Sequence, residues 1–212
     1  MSLPRVILAD DHTLIIEAFS KLLESHCEVV GTVTDGRTLV EIAPKLNPDV
    51  IIVDIGMPLL NGLEAGLRLK RQMPRVKLIF LTMNKDPDLA VDAMRSGASG
   101  YLLKTSAADE LIRTLRLASK GKTYVTPQIA REMEKAFIND PRTKERAKTL
   151  TPRQREVVQL LAEGKSMKEV ASVLNLTPRT VAFHKYRAMA DLNIRTTAEL
   201  IQFAIKSRII VP

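Results

Sequence analysis

Short apolar runs alternate with amphipathic stretches along the first 120 residues of the chain. Five runs, at residues 5–9, 28–33, 50–53, 76–81 and 100–103, are rich in Val, Ile and Leu. Such runs are too short for helices and predict strands that are buried on both faces. Between them, apolar residues recur at the spacing of a helix, as in Leu39, Ile42, Ala43 and Leu46. This alternation predicts an α/β domain with a parallel sheet and right-handed crossovers.

Polar side chains follow four of the five predicted strands: Asp10 and Asp11, Asp54, Thr82 and Lys104. Ligands of open parallel sheets bind beyond the carboxyl ends of the strands, so we expect these side chains to share one site. Clustered carboxylates favour a hard divalent cation with oxygen ligands, and Mg²⁺ is the natural choice. A carboxylate beside Mg²⁺ can attack a phosphoryl donor, while a lysine and a hydroxyl stabilise the charge on the phosphoryl oxygens.

Each of these residues also has a purely structural interpretation. Asp11 and Thr82 can cap the helices that follow them, and Lys104 can be a solvated loop residue. Taken singly, each is explained at least as well in this way. Their order at successive strand ends favours the phosphoryl-transfer site.

Motifs in this half resemble the receiver domain of bacterial response regulators, which has a flavodoxin-like, CheY-like fold. They are Asp10-Asp11, Asp54-x-x-Met57-Pro58, Asn61-Gly62, Thr82, Gly97-Ala98 and Tyr101-x-x-Lys104. The resemblance implies a doubly wound five-stranded sheet of order 2-1-3-4-5 within residues 1–120, with Asp54 as the phosphoacceptor. Lys104 would contact the phosphoryl group, and Thr82 and Tyr101 would form a switch pair. The implied Mg²⁺ ligands are Asp10, Asp11, Asp54 and the backbone carbonyl of Gly56.

Two positions depart from the common receiver pattern. Met83 stands where many relatives have a small residue after the threonine, and Thr105 stands where many have Pro or Asp after the lysine. Bulk at Met83 could alter how fast phosphate enters or leaves the pocket. Neither change removes a chemical group, so phosphorylation is still expected.

Charge is distributed unevenly along the chain. Residues 1–120 carry fifteen basic and fifteen acidic residues, whereas residues 121–212 carry seventeen basic and nine acidic ones. The net charge of +8 therefore lies in the second part, which favours a polyanionic partner slightly over a merely solvated surface. Residues 121–147 include a polar run at 139–146 and predict a linker with one short helix.

Helix-start signals predict an all-α domain of four helices over residues 148–212. Thr151, Ser166 and Thr196 are each followed three residues later by Gln or Glu, and Thr177-Pro178 opens a further helix. Four short helices with a tight turn are typical of a helix-turn-helix unit.

The third of these helices has two distinct faces. Val181, Ala188 and Leu192 share the side that we assign to the core. We expect the opposite side to enter the major groove of DNA, and nearby basic residues and helix starts to hold phosphates. Phe183 and Tyr186 have an alternative role in packing against the fourth helix or a dimer partner. The predicted DNA contacts are Lys165, Ser166, Lys168, Thr177, Arg179, Thr180, Ala182, Phe183, His184, Tyr186 and Arg187.

This second half resembles the LuxR-type helix-turn-helix, and the whole chain resembles the NarL/FixJ family of response regulators. Ala182 and Tyr186 stand where basic residues are usual, so base reading is expected to depend more on apolar contacts. The resemblance implies a homodimer on DNA, formed through the fourth helix, with Ala198, Leu200, Ile201 and Ala204 as candidates. The motifs are Leu150-Thr151-x-Arg153-x-Arg155-Glu156-Val157, Glu163-Gly164-Lys165-Ser166-x-Lys168-Glu169-Val170-Ala171 and Thr180-Val181-x-x-His184.

We therefore expect a transcriptional regulator that a sensor histidine kinase phosphorylates and that binds double-stranded promoter DNA. Its enzymatic activity would be limited to Mg²⁺-dependent self-phosphorylation and slow autodephosphorylation. A phosphatase of the haloacid dehalogenase type is one alternative, but that class expects Asp-x-Asp where this chain has adjacent acids. A phosphate-independent nucleic-acid binder with a receiver used only for docking is another.

The location of the protein follows from what the sequence contains. No apolar run approaches the roughly 18 residues that span a bilayer, so we expect no membrane partner. The first residues reach an acidic pair without a secretory apolar stretch, and Cys27 is the single cysteine. We expect a cytoplasmic protein.

Overall fold

The computed structural model describes residues 3–106, 108–139 and 150–210, with the backbone alone for residues 134–139. The chain divides into two compact units, with the change near residue 141. Residues 140–147 of the predicted linker and the start of the predicted second domain, at residues 148 and 149, lie outside the described residues. None of the described helices is long and apolar enough to cross a membrane.

The first unit is a parallel sheet with helices packed on it. The strands are β1 (Arg5–Ala9), β2 (Glu28–Val33), β3 (Val50–Asp54), β4 (Lys77–Thr82), β5 (Gly100–Leu103) and β6 (Tyr124–Val125). The helices are α1 (Thr13–Leu23), α2 (Gly36–Leu46), α3 (Gly62–Gln72), α4 (Pro87–Arg95), α5 (Ala108–Ser119) and α6 (Pro127–Asn139).

The strand order is β2-β1-β3-β4-β5-β6, and every neighbouring pair is parallel. The predicted order of the first five strands is confirmed. The predicted number of strands needs a correction, because β6 pairs with the outer edge of β5. This strand has only two residues, which is too short to produce a periodic pattern in the sequence.

Both faces of the sheet are covered because the strands are apolar on both sides. Leu8, Ile52 and Leu81 belong to one buried cluster with Leu111 and Leu115 of α5. On the other face Gly66 of α3 lies so close to the Phe80 ring that a Cβ there would sit 2.6 Å from it. This packing holds the carboxyl ends of the strands together at one edge.

The described part of the second unit contains four helices, namely α7 (Pro152–Ala162), α8 (Met167–Leu174), α9 (Pro178–Asp191) and α10 (Thr197–Lys206). The capping boxes predicted at Thr151, Ser166 and Thr196 are formed in both directions. Asn175 ends α8 in the left-handed conformation, with φ of 54°, so the chain turns sharply into α9. The predicted helix-turn-helix is therefore present.

Candidate functional site

The sheet register brings the predicted acids, threonine and lysine to one edge. Asp10 follows β1, Asp54 ends β3, Thr82 ends β4 and Lys104 follows β5. Val53 pairs with both Ala9 and Phe80, so Asp54 comes level with the ends of both neighbouring strands. Asp10, Asp54 and Thr82 are buried.

Lys104 bridges the two buried carboxylates. Its Nζ lies 2.7 Å from Asp10 Oδ2 and 2.9 Å from Asp54 Oδ2, and its side chain is 5% exposed. Burial alone would lower the pKa of Lys104, but hydrogen bonds and charges from the two aspartates raise it above its usual value. Burial raises the pKa of Asp54. The Lys104 ammonium and the Gly56 N–H lower this pKa but offset the rise only in part. The lysine therefore stays charged and is positioned to compensate an anion on Asp54.

Three potential metal ligands lie at the end of β1. Ligand atoms of Asp10, Asp11 and His12 lie within 4.8 Å of one another. His12 Nδ1 is 2.8 Å from Asp11 Oδ1, and its backbone N–H donates to Asp10 Oδ1 over 3.0 Å. Carboxylate oxygens from Asp10 and Asp11 suit Mg²⁺, and Asp54 adds a third carboxylate that shares the Lys104 ammonium with Asp10, so the donor set fits this ion. His12 is the N-cap residue of α1 and offers a ring nitrogen, whereas Mg²⁺ prefers oxygen ligands, so we do not add it to the predicted set.

Thr82 and Tyr101 lie inside the unit. The Thr82 Oγ1 accepts a hydrogen bond of 3.0 Å from the Asn84 N–H, and the Tyr101 ring is fully buried. The Tyr101 hydroxyl has no hydrogen-bond partner of good geometry among the described residues. Burial raises the pKa of Tyr101 well above its usual range, and the Thr82 side chain lowers it in part. The Tyr101 ring therefore lies inside the first unit, and its role in a switch pair stays a prediction.

Gly62 packs directly against the backbone of Asp54. It is the first residue of α3, and its N–H donates to the Ile55 carbonyl over 3.0 Å. A Cβ on Gly62 would overlap the Asp54 carbonyl oxygen and lie 2.8 Å from the carbonyl carbon. The helix can therefore start against the acceptor only with glycine at this position. We assigned no function to Gly62 from the sequence.

The outer face of α9 is exposed as predicted. Phe183 is 64% exposed and Tyr186 61% exposed, whereas Val181 and Ala188 are buried. These exposures exclude packing of Phe183 and Tyr186 against α10 within the described chain. Leu192 is half-buried against the core, and Met189, which we did not assign to it, is buried there.

The other predicted DNA contacts lie at the starts of α8 and α9 and along α9. Thr177 Oγ1 caps α9 by accepting from the Thr180 N–H, and Ser166 Oγ caps α8. His184 contacts Phe183 edge-on, with ring centroids 5.5 Å apart. Arg187 forms an ion pair of 3.4 Å with Asp191. Lys165 and Ala182 are half-buried, and Lys168 and Arg179 are exposed.

Two of the predicted dimer contacts need a correction. Leu200 and Ala204 are 1% and 0% exposed because they pack inside the second unit, in a cluster with Val158 and Ala188. They are unavailable to a partner. Ala198 is exposed and Ile201 half-buried, so these two keep their predicted role as candidates.

Both halves of the chain match known protein families. Residues 6–116 match the response regulator receiver domain, and residues 148–204 match the bacterial regulatory proteins of the luxR family. The oxygen regulatory protein NreC of Staphylococcus epidermidis is 32% identical over 97% of this chain and 99% of its own. The transcriptional regulatory protein MctR of Rhizobium johnstonii is 32% identical over 97% of this chain and 95% of its own.

Solved structures agree with these sequence matches. RcsB of Salmonella enterica serovar Typhimurium, bound to promoter P1flhDC in the presence of the phosphomimetic BeF₃⁻, has a TM-score of 0.61 and 29% identity. That match covers 96% of this chain and 98% of RcsB. A second RcsB structure from Salmonella typhimurium has a TM-score of 0.64 and 30% identity over 96% of this chain.

Proposed function

Because this chain belongs to the NarL/FixJ family of response regulators, with a receiver domain and a LuxR-type DNA-binding domain, we propose that phosphorylation of Asp54 controls its binding to promoter DNA. The observation that carries the proposal is the buried Lys104 ammonium between Asp10 and Asp54 at the strand ends. This arrangement places a fixed positive charge where a phosphoryl group on Asp54 would carry negative charge.

The phosphoryl donor is a histidine kinase. An Asp54 carboxylate oxygen attacks the phosphorus of a phosphohistidine, the P–N bond breaks, and the imidazole nitrogen leaves with the bonding electrons. Lys104 then pairs with a phosphoryl oxygen, and the Thr82 hydroxyl donates to another. Asp10, Asp11, Asp54 and the Gly56 carbonyl would hold Mg²⁺, which neutralises charge on the phosphoryl oxygens when bound.

The output is DNA binding through α9. Phe183 and Tyr186 are large exposed side chains on a helix whose opposite side is buried, and Arg179 lies on the same outer half. The aromatic side chains would read base edges or thymine methyl groups, while Arg179 and the capped helix starts would hold phosphates. Binding as a dimer through Ala198 and Ile201 of α10 completes the proposal.

Labelling with acetyl phosphate and Mg²⁺ tests the input. Wild type should gain one base-labile phosphoryl group, and Asp54→Asn should gain none. Asp109→Asn, which changes an exposed carboxyl on α5, is the matched control and should be labelled like wild type. Equal labelling of Asp54→Asn and wild type would show that Asp54 is not the acceptor.

Fluorescence anisotropy with duplex DNA tests the output. Affinity should fall steeply with salt concentration and rise on phosphorylation. Arg179→Ala should lower affinity about tenfold on every sequence, with Lys206→Ala as the control for lost charge on an exposed side chain. Phe183→Ala should mainly weaken sequence preference. Equal loss on all sequences for Phe183→Ala, or a flat salt response, would contradict this DNA-contact scheme.

A further inference from the structure

Thr126 stands where β6 gives way to α6 and is buried. Its N–H donates to the Tyr101 carbonyl over 3.0 Å, which is the last backbone bond of the β5–β6 ladder. Its own carbonyl accepts from the Ala130 N–H over 3.0 Å, in the first turn of α6. The backbone carbonyl of Thr126 is therefore committed to the helix and does not continue the ladder along β5.

The Thr126 hydroxyl supplies the acceptor that the ladder lacks. Leu103, the last residue of β5, is buried, and its N–H donates to Thr126 Oγ1 over 3.3 Å. Ser106 Oγ lies 3.3 Å from the same oxygen. A side chain without an acceptor at residue 126 would leave the Leu103 N–H buried and unpaired, which is costly.

This bond acts next to the phosphate-binding lysine. Lys104 directly follows Leu103, and the Lys104 N–H donates to the Thr82 carbonyl over 2.8 Å. The backbone at the lysine is thus held by β4 on one side and by Thr126 on the other.

We propose that Thr126 is a positioning residue for phosphoryl transfer, whose hydroxyl fixes the Leu103–Lys104 backbone so that the ammonium meets Asp54. Thr126 directly precedes Pro127, the first residue of α6, and its carbonyl accepts from the first turn, so the position of the lysine is tied to the attachment of that helix. The inference rests on the proposed phosphorylation of Asp54, and it adds a residue from outside the predicted receiver boundary.

The test compares the rates of labelling of full-length variants by acetyl phosphate at limiting donor. Thr126→Val keeps the shape but removes the acceptor, and should slow labelling about tenfold, which corresponds to about 1.4 kcal/mol. Thr126→Ser restores the hydroxyl and should recover the rate to within about twofold. Thr114→Val is the matched control, because Thr114 is also buried but its hydroxyl donates to the Glu110 carbonyl within its own helix α5.

The labelling rates of these variants decide whether Thr126 positions Lys104. Any one of three results would overturn the proposal: Thr126→Val is labelled at the wild-type rate, Thr114→Val is slowed as much as Thr126→Val, or Thr126→Ser does not recover the rate. If Thr126→Val fails a circular-dichroism check of folding, Thr126→Cys replaces it, since sulfur is a weaker acceptor than oxygen in a similar shape. Equal rates for Thr126→Cys and Thr126→Ser would then overturn it. Failure of wild type to label refutes the proposed function instead, and the inference with it.

Discussion

Replacing Gly62 with alanine would test how closely α3 packs behind the acceptor. The added Cβ would overlap the Asp54 carbonyl oxygen and lie 2.8 Å from its carbonyl carbon and 3.0 Å from Val53 Cγ2. Carbon atoms in contact normally lie about 3.5–4.0 Å apart. The obstacle is backbone rather than a flexible side chain, so the start of α3 and the end of β3 would have to separate.

The expected cost follows from two terms. Overpacking of this kind costs about 1–3 kcal/mol. Separation also stretches the 3.0 Å bond from the Gly62 N–H to the Ile55 carbonyl, which contributes about 1 kcal/mol. Gly62→Ala should therefore lower the free energy of unfolding by about 3 kcal/mol, and displacement of Asp54 should slow labelling by acetyl phosphate about tenfold or more.

Urea unfolding followed by circular dichroism measures the first effect. Gly121→Ala is the control, because Gly121 has φ of +73° and a Cβ added there would meet no atom within 4 Å, so the substitution adds strain without a clash. That variant should lose about 1–2 kcal/mol and keep its labelling rate. A Gly62→Ala variant that is as stable as Gly121→Ala and is labelled at the wild-type rate would show that α3 does not pack this closely on Asp54.

Three further predictions concern other groups. Burial raises the pKa of Asp54, so its ionised form opposes folding above that pKa. Asp54→Asn should therefore raise the melting temperature at neutral pH without Mg²⁺ by about 2–4 °C. This gain should shrink as the pH falls, because the wild-type carboxyl then takes up its proton. An equal gain at acid pH would contradict this. Burial raises the pKa of the Cys27 thiol to about 11, so Ellman's reagent at mildly alkaline pH should label it only in denaturant, and rapid labelling of the native protein would refute its burial. Thr196→Ala removes a capping box and should cost about 1 kcal/mol in urea unfolding, whereas Thr197→Ala should cost less; equal losses would rule out the cap as the cause.

The features that the sequence predicted well depend on local patterns. The strand ends were predictable because four of the five apolar runs stop at one of the polar site residues, and the parallel arrangement then brings Asp54 and Lys104 together. Helix starts in the second unit were readable because the partners of a capping box are three residues apart in the chain. The roles of the metal ligands, switch pair and DNA contacts stay predictions that rest on the resemblance to the family.

The features that the sequence did not predict depend on contacts between distant elements. Leu200 and Ala204 lie on an amphipathic helix, and only packing shows that their side faces Ala188 rather than a partner. β6 is two residues long, so it becomes a strand only through its pairing with β5. The sequence at Thr126-Pro127 indicates only a helix start. In the structure, the Thr126 hydroxyl accepts a hydrogen bond from the N–H of Leu103, 23 residues earlier in the chain.

The pairing of β6 with β5 also determines which C-terminal truncations leave the sheet covered. An unpaired strand edge exposes N–H and C=O groups that recruit strands from other molecules. A fragment that ends at residue 120 would lack Tyr124 and Val125 and leave the apolar run Gly100–Leu103 as an open edge. A fragment that ends at residue 139 would keep this edge covered. β6 therefore covers this edge of β5, and we expect a fragment that ends at residue 120 to self-associate more readily than one that ends at residue 139.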